Sequence, residues 1–238
     1  MGGPSNHGMA TRFTGLLSGH GRRCTVAAMD ESQRALLHAY LDEMQRWNAR
    51  INLTAIPAEQ GWEKHVEEAI ALLAAANPPP DARAIDVGAG AGVPGVPMAI
   101  LRPDLRVVLV DSDQRKAAFL THIAGALPLD NVEVLAERIE DVARRDGMRE
   151  SFDLAVSRAL APPPVMCELL LPLVRVGGRV ATLVGDAPQA AQDAAHAAAE
   201  CGGDVPRAAA GDVLLIDKVR ATPERYPRRA GVPLRKPL

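Results

Sequence analysis

The chain has 238 residues, 47% of them apolar and 24% charged, enough for one large core or a domain with an appendage, which excludes a disordered chain. No apolar run approaches the roughly 18 residues of a membrane span, and three widely spaced cysteines, Cys24, Cys167 and Cys201, suit neither a disulfide framework nor a metal half-site, so a cytoplasmic, metal-free protein is expected. The net charge of −2 excludes a uniformly basic surface, yet Lys218, Arg220, Arg225, Arg228, Arg229, Arg235 and Lys236 face Glu224 alone in the last stretch.

Residues 1–29 are rich in Gly, Ser and Arg without periodicity and are expected to be flexible; the cluster at Leu16 and Leu17 is too short for a signal-peptide core. From 31 to 50, Leu36, Leu37, Tyr40, Leu41, Met44 and Trp47 recur at helical spacing and predict one buried stripe. A second helix over 59–76 would turn Trp62, Val66, Ile70 and Leu73 inward until Asn77-Pro78-Pro79-Pro80 stops it. Residues 30–80 therefore read as a small helical N-terminal extension. Beyond it, short apolar runs alternate with helical stretches, which predicts a doubly wound, mostly parallel α/β sheet over 81–220 with strands at 84–87, 106–110, 132–135, 153–156, 179–184 and 213–219. Gly177-Gly178 reads as a sharp turn into a strand, the alanine-rich stretch 188–201 as a helix, and 221–238 as a basic tail.

The strand ending in Ile85-Asp86-Val87 runs into Gly88-Ala89-Gly90-Ala91-Gly92-Val93-Pro94-Gly95, where alternate glycines let the backbone turn sharply and approach a ligand closely. The plain alternative is a tight strand-to-helix turn. Gly90-x-Gly92-x-x-Gly95 also satisfies the dinucleotide pattern, which keeps a nicotinamide-dependent oxidoreductase open as a second reading. Asp86 tilts the choice, because a carboxylate before the turn opposes a diphosphate but favours the sulfonium and amino group of S-adenosylmethionine. The loop lacks the Gly-Lys-Ser/Thr of a Walker-type site. Asp111 closes the next strand where a carboxylate can accept both ribose hydroxyls; otherwise it is a solvated strand end.

Together with the Asp86–Pro97 loop, Trp47-Asn48-x-x-Ile51-Asn52-Leu53-Thr54, Val110-Asp111-Ser112, Ser157-Arg158-Ala159, Tyr226-Pro227-Arg228-Arg229 and Gly231-Val232-Pro233 form a specific set. With these motifs the chain from about Leu36 onward resembles the glucose-inhibited-division-B type of 16S ribosomal RNA guanine-N7 methyltransferase. That resemblance implies a Rossmann-like class I methyltransferase fold, S-adenosylmethionine as cofactor, and 16S rRNA, the small ribosomal subunit or its precursor as partner. It places cofactor contacts on Gly88, Val93, Ile139, Glu140 and Arg158, beside Asp86, Gly90, Gly92 and Asp111 from the loop argument. Arg158 also has a case of its own, since a guanidinium at a strand's carboxyl end can hold the methionine carboxylate or an RNA phosphate; the alternative is a pair with Asp86 or Asp153. The family's Arg-His-x-x-Asp-Ser reads Lys64-His65-Val66-Glu67-Glu68-Ala69 here, which keeps His65 and loses the Asp-Ser pair.

No residue stands out as a chemical catalyst; Arg158, His65 and Asn52 are candidates for positioning. Asn52 and Thr54 either orient a base or cap a turn. An exocyclic-amine methylase would put an Asn/Asp/Ser-Pro-Pro-aromatic motif after the fourth strand, where this chain has Val156-Ser157-Arg158-Ala159, and Cys167 reads as core rather than as a nucleophile. Guanine N7 carries a free lone pair and no proton, so direct in-line transfer needs alignment and no general base. Arg115, Lys116, Arg228, Arg229, Arg235 and Lys236 are the candidates for gripping phosphates, and a protein that binds cofactor and RNA without transferring a methyl group is a third reading.

Overall fold

The structure, a computed structural model, describes residues 29–238; the expectation for 1–28 lies outside the described residues, and Met29 packs against the core. The first long helix, α1 (Glu31–Ile51), starts where the Asp30 carboxylate accepts from Gln33 N–H while the Gln33 side chain returns a bond to Asp30 N, a reciprocal cap. Gln33 Nε2 also donates to the carbonyls of Ile100 and Leu101, two orphan acceptors at the end of a later helix. Asn52 ends α1 at φ 51°, and the Asn48 side chain closes the following turn by bonding both the N–H and the carbonyl of Thr54, each at 2.9 Å.

The second helix is not the continuous one expected from 59 to 76. A 3-10 turn (Ala58–Gln60) leads into a widened π turn (Trp62–Glu67), and only then does α2 (Glu68–Ala76) begin, ending at left-handed Asn77. The wide turn buries the adjacent residues His65 and Val66, which a regular helix would set about 100° apart.

Seven strands follow: β1 (Arg83–Val87), β2 (Arg106–Val110), β3 (Val132–Leu135), β4 (Phe152–Arg158), β5 (Val174–Leu183), β6 (Arg207–Ala209) and β7 (Val213–Asp217). Their order is β3-β2-β1-β4-β5-β7-β6, parallel from β3 to β5, with β7 antiparallel to both β5 and β6. The six expected strands are present, and β6 is an addition whose three residues carry no apolar alternation to announce it. Gly177 and Gly178 lie inside β5 rather than before it: pairing jumps from Phe152↔Val174 to Leu154↔Arg179, and a Cβ on Gly178 would sit 2.7 Å from the Asp153 carbonyl.

Alternation along the strands divides the interior in two. Ala84, Val107, Leu109, Leu154 and Leu215 face one layer with α1, α2, α3 (Gly95–Leu101) and α4 (Gln114–Ala126). Ile85, Val108, Ala155, Val180 and Ile216 face the other, with α5 (Ile139–Val142), α6 (Pro163–Leu170) and α7 (Ala187–Glu200). The N-terminal helices thus share the core of the sheet. Cys167 is fully buried in the second layer, as expected, and burial raises its thiol well above the ordinary range. No helix among the described residues is long and apolar enough to cross a membrane.

The basic tail is docked against the fold. Lys218 is fully buried, paired with Glu150 at 3.1 Å and donating to Leu171 O at 2.6 Å. Arg149 donates to the carbonyls of Thr222, Pro223 and Tyr226, and Arg144 to that of Pro227. Arg228 holds both carboxylate oxygens of fully buried Glu168, and the chain ends with α8 (Val232–Arg235).

The loop after β1 depends on Gly95, where a Cβ would lie 2.3 Å from Leu109 Cδ2 and 2.7 Å from Asp86 Oδ2. Gly95→Ala is therefore expected to destabilise the protein by about 1–3 kcal/mol, a fall in Tm of roughly 3–10 °C by calorimetry.

Candidate active site

Sheet order reverses between β1 and β4, where an open parallel sheet parts at its carboxyl ends. A crevice of about 200 Å³ lies there. Gly88 follows β1, Asp111 follows β2, Ile139 and Glu140 open α5, and Leu160, Val165 and Leu169 belong to the turn after β4 and to α6. Gly231, Pro233 and Leu234 of the tail close one side. Its bond to the crevice is specific: Gly231 N–H donates to Glu140 at 3.1 Å.

Gly88, Gly90 and Gly92 all have positive φ, at 68°, 55° and 86°, and each is required for a different reason. A Cβ on Gly88 would reach within 2.6 Å of Leu160, narrowing the crevice. Gly90 N–H donates to Asp111 Oδ2 at 2.8 Å, which ties the loop to the end of β2. Gly92 instead faces the core, where a Cβ would meet Val96 at 2.7 Å and the Tyr40 hydroxyl at 3.3 Å. Tyr40 donates to Ala91 O at 2.5 Å and so holds the loop from α1. Asp111 also accepts from Asp113 N–H at 2.8 Å, and a carboxylate with two such bonds keeps further lone pairs for hydroxyl donors.

Asp86 does not face the crevice as its place in the sequence suggested. It is fully buried beneath the loop; Oδ2 accepts from Gly95 N–H at 2.8 Å and Oδ1 has no partner among the described residues. Burial lifts its carboxyl to about 7, against the lowering effects of the Gly95 N–H and the Arg158 charge. Val93 likewise belongs to the buried core and does not line the crevice.

Arg158 turns away from both Asp86 and Asp153. Its Nη1 donates to Lys64 O at 2.6 Å and to His65 Nδ1 at 3.1 Å, with Glu68 at 3.6 Å, while Asp153 pairs with Arg175. The next residue, Ala159, sits at φ 50° and bends the chain into the crevice wall. Burial and then the Arg158 charge hold the His65 imidazole down to about 4, so it is neutral near pH 7. Asn52 is exposed and left-handed, the terminating residue of α1.

Of the basic candidates, Arg228 is committed to Glu168 and to Lys236 O, and Arg115 pairs with Asp113 at 3.2 Å. Arg235 Nε donates to Gly231 O at 3.2 Å. Arg229 and Lys236 are exposed and Lys116 is half-buried. No group of three His, Cys, Asp or Glu among the described residues is placed to hold a metal.

The family model described as rRNA small subunit methyltransferase G, GidB, matches residues 33–208. The chain belongs to this family. It is 40% identical over 225 residues to the ribosomal RNA small subunit methyltransferase G of Moorella thermoacetica, covering 90% of this chain and 94% of that one. The protein of the same name from Geobacillus thermodenitrificans is 35% identical over 240 residues, covering 96% and 99%. Among solved structures, a SAM-dependent methyltransferase from Aquifex aeolicus shares the fold with a TM-score of 0.51 at 14% identity, over 74% of this chain and 96% of that one.

Leu160, Val165, Leu169, Gly231 and Pro233 are crevice residues that site reasoning from the sequence missed. The first three are aliphatic residues in apolar sequence, which carries no site signal of its own. Gly231-Val232-Pro233 is a visible motif, but its basic surroundings in the sequence point to phosphates and carry no sign of the crevice wall.

The raised Asp86 carboxyl has a defined consequence for stability. The folded chain prefers the proton more than the unfolded chain does, so this group's contribution to stability falls as pH rises from about 4 to about 7 and is level above. Asp86→Asn removes that dependence. Its Tm relative to the parent is expected to rise across this interval and hold constant from pH 7.5 upward; a difference independent of pH would show that Asp86 titrates normally.

Proposed function

We propose that the chain transfers the methyl group of S-adenosylmethionine to N7 of a guanine in 16S rRNA. Family membership supports small-subunit rRNA as substrate, and the crevice supports the cofactor. The single observation that carries the cofactor reading is the Asp111 carboxylate at the crevice, which the N–H groups of Gly90 and Asp113 orient so that its remaining lone pairs can accept from ribose hydroxyls. Ile139 and the apolar side chains of Val165 and Leu169 would flank the adenine ring, with Glu140 holding Gly231 across the opening. Gly92, Val93 and Asp86 act from behind by shaping the loop.

The cofactor supplies the electrophilic methyl when bound. Residues of this chain need only align the two partners, since N7 has its lone pair available and loses no proton; holding reactants at near-attack distance contributes up to about 10 kcal/mol. Arg158, linked to His65 and the Lys64 carbonyl, fixes the π turn against the end of β4. Arg229, Arg235, Lys236, Arg115 and Lys116 supply positive charge for phosphates.

Calorimetric titration is expected to show S-adenosylmethionine binding and no NADH binding, and labelled cofactor should mark one guanine of small-subunit rRNA with alkali-labile N7 chemistry. The single-turnover rate with saturating cofactor is expected to be flat from about pH 6.5 to 8.5; a bell-shaped profile would require an enzyme acid and base and would exclude the in-line scheme. The docking of Arg228 gives a separate test. Arg228→Ala should weaken S-adenosylmethionine binding about tenfold by loosening the wall that carries Gly231 and Pro233, while the salt slope of RNA binding stays unchanged; a phosphate contact would instead lower that slope by about 1.

A further inference from the structure

Among the described residues four large apolar side chains stand out into solvent, Val176, Val205, Val219 and Leu234, and of these Leu234 alone lines the crevice. It is 64% exposed on α8. The short helix is anchored on both sides. Gly231 N–H donates to Glu140, Arg235 Nε returns to Gly231 O, Pro233 is buried, and Leu238 beyond the helix packs against the second core layer. Leu234 is thus held outward at the crevice by a fixed piece of backbone.

Scattered apolar residues on a surface are ordinary, so the surroundings decide what this one does. Ile139, Val165 and Leu169 are buried and already give the crevice apolar walls. Around Leu234 the exposed side chains are cationic: Arg235 and Lys236 follow it and Arg229 lies just before α8. Arg138, another residue lining the crevice, is exposed too, while Glu137 on the same wall is taken by Arg145. The adenosine end of the cofactor carries no charge for these cations, whereas RNA brings a phosphate on either side of every base. An apolar tip ringed by cations matches the chemistry of a nucleic acid, in which charged phosphates border flat apolar base faces.

We propose that Leu234 enters the base stack of the RNA beside the target guanine and fills the place that the guanine leaves. This assignment rests on the reading of the chain as an rRNA guanine-N7 methyltransferase. In an A-form helix N7 lies in a deep, narrow major groove that side chains do not enter, so a guanine presented to this crevice has to leave its stack. Its departure uncovers the face of a neighbouring base. An outward aliphatic side chain covers that face, as apolar wedges do in other nucleic-acid complexes, and the cations of the tail hold the flanking phosphates. Leu234 is a substrate-contacting residue in this scheme and takes no part in the chemistry.

Three substitutions at this exposed position leave the core untouched and separate the alternatives. Leu234→Ala removes the wedge, Leu234→Lys removes it while adding positive charge, and Leu234→Met restores an apolar tip. With a folded small-subunit rRNA fragment, kcat/KM is expected to fall about tenfold in both Leu234→Ala and Leu234→Lys and to stay within about threefold of the parent in Leu234→Met. Calorimetric affinity for S-adenosylhomocysteine should stay within about twofold throughout. Parent-like kcat/KM in Leu234→Ala would overturn the wedge, and a gain in Leu234→Lys would show a purely electrostatic contact. A parallel loss of S-adenosylhomocysteine affinity would overturn it as well, by making Leu234 a cover for the cofactor. If the parent transfers no methyl group, the proposed reaction fails on its own; affinity for the same fragment, measured by fluorescence anisotropy with S-adenosylhomocysteine present, then decides the wedge by the same order of variants.

Discussion

The close approach of the loop to the sheet at Gly95 governs the rest of the molecule. With Gly95 N–H on Asp86 and its Cα against Leu109, the chain leaving β1 is pressed flat onto the ends of two parallel strands. That contact fixes where α3 begins and leaves Gly90 N–H facing Asp111. Tyr40 adds a brace from α1, so the N-terminal helices are part of what holds the crevice in shape rather than an accessory beside it. The cost is a buried carboxyl group with one oxygen unpartnered among the described residues, tolerated because its proton affinity rises to match.

The tail shows how composition can mislead about role. Seven basic residues against one acid suggest an arm for phosphates, but charge alone does not say which partner a guanidinium will find. Glu168, fully buried on α6, takes Arg228; Glu150 takes Lys218 and the N–H of Thr222. Arginines at 144 and 149 then hold tail carbonyls, so the segment lies across α6 and α7 and delivers Gly231 to the crevice. Arg220, Arg225, Arg229, Arg235 and Lys236 stay exposed, but Arg225 is paired with Glu200 and Arg220 donates to the Ala199 carbonyl.

Strands with strong apolar runs were legible because burial on both faces of a parallel sheet leaves a local signature, as in Val107-Val108-Leu109-Val110. The glycine loop was legible for the same reason: its conformations demand residues without Cβ. Features set by distant partners were not. The π turn depends on Arg158 reaching across from β4, about ninety residues away in the chain. β6 depends on β7 offering a free side, and Asp86 faces the core because strand parity turns it toward α1 and α3. Nothing in the spacing of Arg158 and His65, 93 residues apart, announces that they touch.

The two outermost strands are short and poorly suited to recruit another chain. β3 has four residues with exposed Glu133 among them, and β6 has three, begun by Arg207, whose guanidinium bonds Asp217 at 2.8 Å. Flat, apolar borders invite intermolecular pairing, whereas charged and abbreviated ones discourage it. The antiparallel β6–β7 hairpin therefore acts as a hem for the sheet, keeping the long, apolar β5 away from the border and guarding the folded protein against aggregation.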